Sequence, residues 1–486
     1  MIEKTLKTSL LAIFTIALIT ATATMAQAET IDTRIGELEF TQSFADGYPT
    51  DATVEKLFNE MDFQRAVQVY LWSIPFVSMA QWQYSHVEEL GAENGQAVFL
   101  ESYSDRLGGL TYNATTPYVI PFIDLSKGPW VVVMPEAEVR GAAHDMWQIA
   151  ITRMTEPGKY LFVGPGQEVP KDAEAQGYKV AKSPSMNLML GIRLMATDEE
   201  TRLKDLEQIQ VYPYAERANP KPRGYMRPEG KPWMAAAPKG FAYFERMAQW
   251  LEKEPVAERD RFFMAMLKPL GFEKGKPFKP TEEQKKILTE AALVGEAMAK
   301  ANDFFNPRLE DSHYVEGSRW EFATVSPPDQ RREFYDELDG RAAWFYEAVT
   351  NDPAMHGQKT GKGQVYLATY KDKDGDWLDG GTNYVLHVPA DAPAETFWSV
   401  TAYEVSTRTL INNNYEIADR SSLMDLAMNQ DGSVDIYFGP DKPEGDKEKN
   451  WIPTEAGRAW FPYFRLYSPK QPFMDRSWVL PDIEKR

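Results

Sequence analysis

The chain contains no cysteine among its 486 residues. Disulfides, thiol nucleophiles and thiolate metal sites are therefore excluded together. Histidine is also scarce: there are five, and none forms the His-x-x-x-His pair of a helical zinc site. His144 and Asp145 are sequence neighbours, so on a strand their side chains would face apart and would not form a catalytic dyad.

Several motifs of well-known enzyme classes are missing. The chain has no Gly-x-Ser-x-Gly nucleophile motif, no Ser-x-x-Lys pair with its partner motifs and no Gly-x-x-x-x-Gly-Lys phosphate loop. Gly164-Pro-Gly166 lacks the helix-opening context of a dinucleotide fingerprint. A nucleotide-driven or cofactor-dependent enzyme is therefore disfavoured, and no cofactor is expected.

Positive charge is also in deficit. The net charge is −19 at pH 7, and no run of lysine or arginine marks a basic patch. Nucleic acids and anionic membranes repel such a protein. Beyond the N-terminal stretch, no apolar run is long enough to cross a bilayer. We therefore expect neither a nucleic-acid partner nor a membrane span in the mature chain.

The N-terminus, Met1–Ala28, has the layout of a secretory signal peptide. Two lysines precede the short apolar stretch Leu10–Ile19, and Ala26-Gln27-Ala28 is a small-x-small cleavage pattern. The apolar stretch is short for an uncleaved membrane anchor. Cleavage would place the mature start near Glu29. With the acidic charge and the absence of cysteine, this pattern indicates a periplasmic or secreted bacterial protein.

Length predicts two or three domains, and the residue pattern divides the mature chain into three. Residues 29–235 combine a helix with short strands and Pro-Gly turns that suggest a β-sandwich. Residues 236–350 contain several stretches with helical spacing and are predicted to form an α-helical domain. Residues 351–486 return to strands and turns. The order predicts a mainly β protein with a central α-helical domain.

Two helices have clear sequence signals. Asp51–Ser73 is amphipathic, and Pro75 should end or kink it. Thr281–Gln284 is a capping box, because its threonine and glutamine can each bond a free backbone amide at the start of a helix.

The run Phe397–Asn414 is the most informative stretch of the chain. If Phe397–Tyr403 is a strand, side chains alternate between its faces. Three apolar side chains then form a core face, and three hydroxyls, those of Ser399, Thr401 and Tyr403, form a row on the other face.

Polar and aromatic residues near this run are candidates for a binding or catalytic site, because arginine offers a planar donor fork, asparagine both donates and accepts, and tyrosine stacks. The candidate catalytic residues are Tyr403, Asp431 and Arg465. The candidate ligand-binding residues are Tyr112, Asn113, Tyr118, Arg408, Asn412, Ser433 and Tyr467. Alternatively, the arginines pair with acidic side chains, and the other residues only form hairpin turns and strand caps.

The densest acidic cluster comprises Asp372, Asp374, Asp376 and Asp379. Alternate carboxylates in a turn can bind calcium. However, the glycine stands at the fourth loop position rather than the sixth, and Asn383 occupies the place of the bidentate glutamate of an EF-hand. An ordinary solvated hairpin is the favoured interpretation, and calcium binding is the alternative.

Several motifs resemble those of two bacterial families. In the N-terminal half they are Asn113-Ala-Thr-Thr-Pro-Tyr118, Ile123-Asp-Leu-Ser-Lys-Gly-Pro129 and Gly164-Pro-Gly166. In the C-terminal half they are Asp379-Gly380, Phe397-Trp-Ser-Val-Thr401, Asn429-Gln-Asp-Gly-Ser433, Asn450-Trp-Ile-Pro453, Arg465-Leu-Tyr-Ser-Pro469 and Trp478. The chain resembles exported bacterial proteins that combine domain of unknown function 1254 with domain of unknown function 1214. The resemblance implies an immunoglobulin-like sandwich, a helical domain and a jelly-roll-like sandwich, but no established reaction.

Three functions stay open at this point. The first is binding of a polar small molecule or a glycan-like ligand. The second is a cofactor-independent hydrolase or lyase, with Asp431 as base and with Tyr403 and Arg465 stabilising negative charge. The third is a structural protein that assembles into a homo-oligomer. The sequence favours the first.

Overall fold

The computed structural model describes residues 28–305, 309, 312–357 and 359–486. The predicted signal peptide lies outside these ranges except for its last residue. The chain divides into two compact units, one ending at Met61 and the other running from Asp62 to Arg486. None of the helices in the described ranges combines the length and the hydropathy that a membrane span requires.

Seven α-helices lie in the described ranges. They are α1 (Asp51–Tyr84), α2 (Glu199–Gln208), α3 (Phe241–Leu251), α4 (Arg261–Leu267), α5 (Glu282–Phe304), α6 (Asp339–Glu347) and α7 (Gln471–Met474). One π-helical turn, Ser85–Glu89, follows α1. Short 3-10 segments are Ser104–Arg106, Tyr214–Glu216, Glu258–Asp260, Lys268–Leu270, Pro353–His356 and Gly445–Asn450.

Helix α1 continues through Pro75. Of the two outcomes predicted at this residue, an end or a kink of the helix, the end is therefore wrong. A proline inside a helix removes one amide donor. The carbonyl that loses its donor is that of Leu71, and the carbonyls on either side of it receive side-chain donors. The carbonyl of Tyr70 accepts from the Tyr243 hydroxyl at 2.9 Å, and that of Trp72 accepts from the Arg341 guanidinium. Tertiary contacts thus hold the helix backbone on both sides of the Leu71 carbonyl.

Helix α5 begins as predicted. The Thr281 hydroxyl accepts from the Gln284 amide at 3.2 Å, and the Thr281 amide donates to the Gln284 side chain at 2.8 Å. The capping box is therefore confirmed.

The strands follow the chain in three groups. The first unit contains β1 (Glu29–Thr33) and β2 (Gly36–Phe40). Next come β3 (Ala97–Leu100), β4 (Tyr118–Asp124), β5 (Trp130–Met134), β6 (Val139–Asp145), β7 (Ala150–Met154), β8 (Gly158–Val163), β9 (Tyr178–Lys182), β10 (Asn187–Leu194), β11 (Gln210–Pro213) and β12 (Tyr225–Met226). The last group is β13 (Glu321–Phe322), β14 (Gln364–Ala368), β15 (Tyr384–Val388), β16 (Ala394–Glu404), β17 (Asp419–Ser421), β18 (Val434–Gly439), β19 (Trp451–Pro453), β20 (Trp460–Pro469) and β21 (Glu484–Lys485).

These strands form five sheets. In the first unit β1 and β2 form an antiparallel pair. In the second unit a six-stranded sheet has the order β12-β3-β4-β10-β6-β7, and an N-terminal four-stranded sheet has the order β11-β5-β8-β9. A five-stranded sheet, β13-β14-β20-β16-β17, and a C-terminal four-stranded sheet, β19-β18-β15-β21, follow. The β-rich character and the accompanying helices are as the sequence predicts.

Two large apolar clusters hold the second unit together. One includes Val119 and Leu190 of the six-stranded sheet together with Val132 and Phe162 of the N-terminal four-stranded sheet. The larger cluster runs from the helices into both C-terminal sheets, so one continuous core crosses residue 350. The predicted domain boundaries stay predictions.

Candidate functional site

One face of the five-stranded sheet is polar and aromatic. Its register places Tyr366 of β14 opposite Arg465 of β20, and Arg465 opposite Ser399 of β16. Residues directly opposite each other share a sheet face. Tyr467, two residues after Arg465, therefore lies on this face as well. The row of hydroxyls predicted for β16 is one strip of this wider surface.

The six-stranded sheet presents a second polar face. Tyr118 of β4 pairs with Arg193 of β10, and His144 of β6 pairs with Met189 of β10. Between these two levels lies Gly191, where a Cβ atom would meet only the Met189 side chain, at 3.8 Å. This glycine therefore borders open space.

A cavity of about 150 Å³ lies between these two faces. Its polar lining residues are Thr111, Tyr112, Asn113, Tyr118, His144, Arg193, Thr350, Asp352, Gln364, Tyr366, Tyr463, Arg465 and Tyr467. Apolar side chains, among them Trp344, Val349 and Met355, complete the lining. An engineered cavity of this size binds benzene, so the volume suits a small organic molecule.

Larger grooves also occur. One of about 640 Å³ is lined by Trp250, Phe272 and Phe278 in the helical region. Among the residues that the structure describes, none lining that groove has a buried polar atom without a partner. The smaller cavity has several, and we therefore regard it as the candidate site.

Arg465 is the most informative residue of the cavity. Only 2% of it is exposed, and none of the described carboxylates forms an ion pair with it. Its η nitrogens donate to the Thr401 hydroxyl at 3.2 Å and to the Thr111 carbonyl at 2.8 Å. Its Nε has no partner. Burial raises the pKa of the Asp419 carboxyl, although the charge of Arg465 acts on this carboxyl and lowers its pKa to a smaller extent. No carboxylate of the described residues contacts the guanidinium, and a buried cation without a contacting counter-ion favours an anion at the site.

Arg193 is a second cation on the cavity wall. Its guanidinium lies 4.0 Å from the centre of the Tyr118 ring, which stacks on Tyr112 at 4.5 Å. One η nitrogen donates to the Thr116 carbonyl at 3.2 Å, and Nε has no partner. Arg341 and Arg420 also leave Nε unpaired, but neither lines this cavity.

Neutral hydroxyls surround the cations. Burial raises the pKa of Tyr366 and of Tyr467 above the ordinary value, which keeps both phenols protonated. The Tyr366 ring centre lies 5.3 Å from the Arg465 guanidinium. The Tyr467 hydroxyl accepts from the Asn113 side chain. These groups can donate to an anion without adding negative charge.

The backbone is strained at two lining positions. Thr111 has φ 42° and Thr350 has φ 62°. A β-branched residue rarely adopts this left-handed region, and such strain clusters at functional sites. The strained turn at Thr111 directs its carbonyl toward Arg465 at 2.8 Å and toward the Tyr403 hydroxyl at 3.2 Å.

His144 reaches the cavity from the six-stranded sheet. It is buried, and neither ring nitrogen has a partner. Burial lowers its pKa to about 4, so the imidazole is neutral at pH 7. The neighbouring Asp145 forms no dyad with it, because Asp145 Oδ1 accepts from the amides of Trp147 and Ile149, both at 2.9 Å.

Five predicted site residues meet at this cavity: Tyr112, Asn113, Tyr118, Arg465 and Tyr467. The Tyr118 hydroxyl accepts from the Asn113 amide at 2.9 Å, which ties two of them together.

Tyr403, a predicted catalytic residue, does not line the cavity and instead supports it. Its hydroxyl donates to the Tyr112 carbonyl at 2.8 Å, and its ring centre lies 5.6 Å from the Arg465 guanidinium.

Four predicted residues do not reach the cavity. Arg408 stacks on the Tyr346 ring at 4.3 Å and donates to that residue's carbonyl at 3.1 Å. Asn412 is exposed. Asp431 folds back onto its own turn, where Oδ1 accepts from the Ser433 hydroxyl at 2.6 Å and from the Ser433 amide at 3.0 Å. Local turn bonds thus occupy Asp431 and Ser433, whereas Arg408 is held by Tyr346.

The acidic cluster already has a cation. Lys485 Nζ lies 3.2 Å from Asp372, 3.8 Å from Asp374 and 2.5 Å from Asp376. Asp379 turns away, because its Oδ1 accepts from the Gly381 amide at 2.8 Å. Across the described ranges, no group of three or more His, Asp or Glu side chains is arranged to hold a metal ion. The hairpin interpretation therefore stays favoured over calcium.

Sequence reasoning did not select Arg193, His144, Asp352 or Tyr366 as site residues. A signal existed for Arg193, because it is the one charged residue in the apolar strand Asn187–Leu194. Charged side chains are rarely buried unless they have a partner, so an arginine in such a strand indicates a specific role.

Two family models match the chain. Residues 99–213 match the one described as Protein of unknown function (DUF1254), and residues 363–471 match Protein of unknown function (DUF1214). The chain carries both domains, in the order that its motifs predict. The DUF1254 region supplies Arg193 and His144, and the DUF1214 region supplies Tyr366 and Arg465. The cavity is thus built by both domains.

Two solved structures resemble this chain. The VPA0106 protein from Vibrio parahaemolyticus has 19% sequence identity and a TM-score of 0.53, over 87% of this chain and 100% of that one. A putative uncharacterized protein from Burkholderia cenocepacia has 11% identity and a TM-score of 0.40, over 90% of this chain and 96% of that one. The first likeness shows a shared fold. No curated protein matches the chain.

Proposed function

We propose that this protein binds a small organic anion in the cavity between the six-stranded and the five-stranded sheets. The observation that carries the proposal is Arg465, a buried guanidinium that lines a cavity, has an unpaired Nε and has no carboxylate partner among the described residues. A bound anion would place a counter-charge in contact with this guanidinium. Arg193 adds a second cation to the same lining.

The size and lining of the cavity narrow the ligand class. A volume of about 150 Å³ suits a molecule near the size of benzene and is too small for an oligosaccharide. Apolar side chains such as Trp344 and Met355 complete the wall, so a carboxylate attached to a short carbon skeleton fits better than inorganic phosphate. The small-molecule hypothesis is therefore preferred over the glycan-like one.

The structure does not support the general base on which the hydrolase or lyase hypothesis depended. Asp431 was the proposed proton acceptor, but it is exposed and bonded within its own turn. We infer binding rather than catalysis from the geometry. We also propose that the protein binds its ligand outside the cytoplasm, after removal of the signal peptide predicted at Met1–Ala28.

We propose a sandwich architecture for the two walls. The N-terminal pair of sheets, which share one apolar cluster, would form the immunoglobulin-like sandwich. The C-terminal pair would form the jelly-roll-like sandwich. The cavity would then lie between the facing sheets of two sandwiches.

The first test is a thermal-shift titration of the chain from Glu29 onward. The probes are butyrate, benzoate, inorganic phosphate and glucose at matched ionic strength. We expect the carboxylates to raise the melting temperature, because a ligand that binds only the folded state stabilises it. Glucose should give no shift, and phosphate a smaller one.

Two variants, each with a control variant, locate the binding site. Arg465→Met should abolish the shift, whereas Arg408→Met, which alters a buried arginine outside the cavity, should retain it. Gly191→Leu should also abolish the shift by filling the open space, while Gly191→Ala should not. Equal shifts in Arg465→Met and wild type, or no carboxylate shift at all, would refute the proposal.

A further inference from the structure

The cavity has a second polar end. On β10, Arg193 and Met189 are four residues apart, which corresponds to about 13 Å along a strand. Arg193 pairs with Tyr118, and Met189 pairs with His144. The cationic group and the imidazole therefore lie at different levels of the same wall.

Small side chains separate the two levels. Gly191 pairs with Ala142 midway between them, and both line the cavity. A Cβ atom at Gly191 would meet only Met189 side-chain atoms, at 3.8 Å and 4.0 Å. Open space therefore extends over this pair, from the arginine level toward the imidazole level.

His144 is unsatisfied at its end of the cavity. A neutral imidazole has one donor and one acceptor, and here neither nitrogen has a partner. A buried polar group in this state costs stability, and such exceptions call for a physical reason. A ligand group that bonds the imidazole supplies one.

Asp352 adds negative charge to the cavity lining. It caps the segment Pro353–His356, with Oδ1 accepting from the Ala354 amide at 2.6 Å. It lines the cavity and lies close enough to His144 for its charge to act on the imidazole. Among the described residues, no lysine, arginine or histidine forms an ion pair with Asp352. The lining thus contains both unpaired cations and an unpaired carboxylate.

We propose that the ligand is bipolar: a short organic acid that carries a hydrogen-bond donor, a hydroxyl or an ammonium group, at the end opposite its carboxylate. The carboxylate lies at Arg465 and Arg193, the carbon chain crosses Gly191 and Ala142, and the donor contacts His144 and Asp352. This inference rests on the proposed function, and it adds the chemistry of the second end.

Matched four-carbon probes test it. Binding of butyrate, 4-hydroxybutyrate, 4-aminobutyrate and butylamine to the chain from Glu29 onward is measured by calorimetry. We expect at least one of the two donor-bearing acids to bind ten or more times more tightly than butyrate. Butylamine, which lacks the carboxylate, should bind more weakly than either.

Three variants assign the donor contact. His144→Leu should remove the advantage of 4-hydroxybutyrate over butyrate, and His144→Gln should restore part of it. Asp352→Asn keeps the capping side chain but removes its charge, so it should remove the advantage of 4-aminobutyrate. His387→Leu is the control, because His387 is exposed and contacts Asp435 at 2.8 Å instead.

The outcomes separate this inference from the proposed function. If the three acids bind with equal affinity and lose binding together in Arg465→Met, the bipolar ligand is refuted and the anion site stands. If the donor advantage survives in both His144→Leu and Asp352→Asn, the second end is wrongly assigned. If no acid binds, both proposals fail.

Discussion

Arg106 and Arg465 are both buried, yet their surroundings differ. Every nitrogen of the Arg106 guanidinium donates to a backbone carbonyl, including those of Ser102 at 3.1 Å and Asn113 at 3.2 Å. Arg106 therefore shapes the loop that carries Asn113. Arg465 leaves Nε free beside open space. Burial alone does not distinguish an arginine that shapes a loop from one that is available to a ligand. The number of its N–H groups that have hydrogen-bond partners does.

His144→Leu tests the cost of the unpaired imidazole. The substitution removes a buried polar group with no partner, so we expect unchanged or increased stability at pH 7. The gain should grow on acidification. In the unfolded chain His144 binds a proton below its ordinary pKa of 6.5, whereas in the folded protein it stays neutral until about pH 4.

The sign of that pH dependence follows from proton linkage. The pKa of His144 is lower in the folded protein than in the unfolded chain. As the pH falls from 6.5 toward 4, the unfolded chain therefore binds a proton that the folded protein does not, and the wild-type protein loses stability. Leucine cannot titrate. The variant should therefore gain up to about 3 kcal/mol relative to wild type between pH 7 and pH 4, measured by urea unfolding. A pH-independent difference would contradict this expectation.

His86→Leu is the matched comparison. His86 is equally buried, but its Nε2 accepts from the Trp82 indole at 3.1 Å. Leucine would leave that indole donor unpaired. We expect a loss of about 1–3 kcal/mol in the free energy of unfolding at pH 7, the opposite sign to His144→Leu. Equal effects of the two substitutions would mean that hydrogen-bond satisfaction does not decide stability here.

At the level of elements, the start of α5 is suited to a quantitative test. Thr281→Ala removes the hydroxyl that accepts from the Gln284 amide. We expect a loss of about 1 kcal/mol in the free energy of unfolding, measured with urea. Thr289→Ala, in the exposed middle of the same helix, should cost nothing or stabilise slightly, because alanine is the better helix former. An equal loss in both variants would argue against a capping effect.

Sequence patterns predicted secondary-structure elements well where neighbouring residues determine the conformation. The capping box needs only four neighbouring residues, and the alternation in β16 needs only a strand. Pro75 was predicted to end or kink α1, but the helix continues through it, and Tyr243 and Arg341 donate to the backbone of the preceding turn from distant parts of the chain. Such partners leave no mark near the proline in the sequence.

For the whole molecule, the two units should differ in local stability. The only sheet described in the first unit is the two-stranded β1–β2 pair, whose residues are mostly exposed. An isolated two-stranded sheet is marginally stable. In contrast, β20 is central and almost entirely buried. We expect fast amide exchange over Glu29–Phe40 and slow exchange over Trp460–Pro469 by mass spectrometry. Comparable protection of both segments would contradict this picture.

The site itself was only half predictable. The motifs around Asn113 and Arg465 drew attention to five lining residues, but nothing in the sequence showed that they meet. The contact between Arg465 and the Thr111 carbonyl spans 354 positions. Asp431 looked equally suitable from its residue type, and only its local turn excludes it. The sequence showed which side chains could bind an anion, but only the structure showed which of them line the same cavity.

The divided origin of the cavity has a consequence for synthesis of the protein. Arg193 and Tyr467 belong to opposite walls, and a ribosome makes the second long after the first. A premature stop anywhere before Tyr467 would yield a product with an incomplete binding chamber, however well its first sheets had folded. The complete cavity therefore cannot form on a nascent chain until translation is nearly finished.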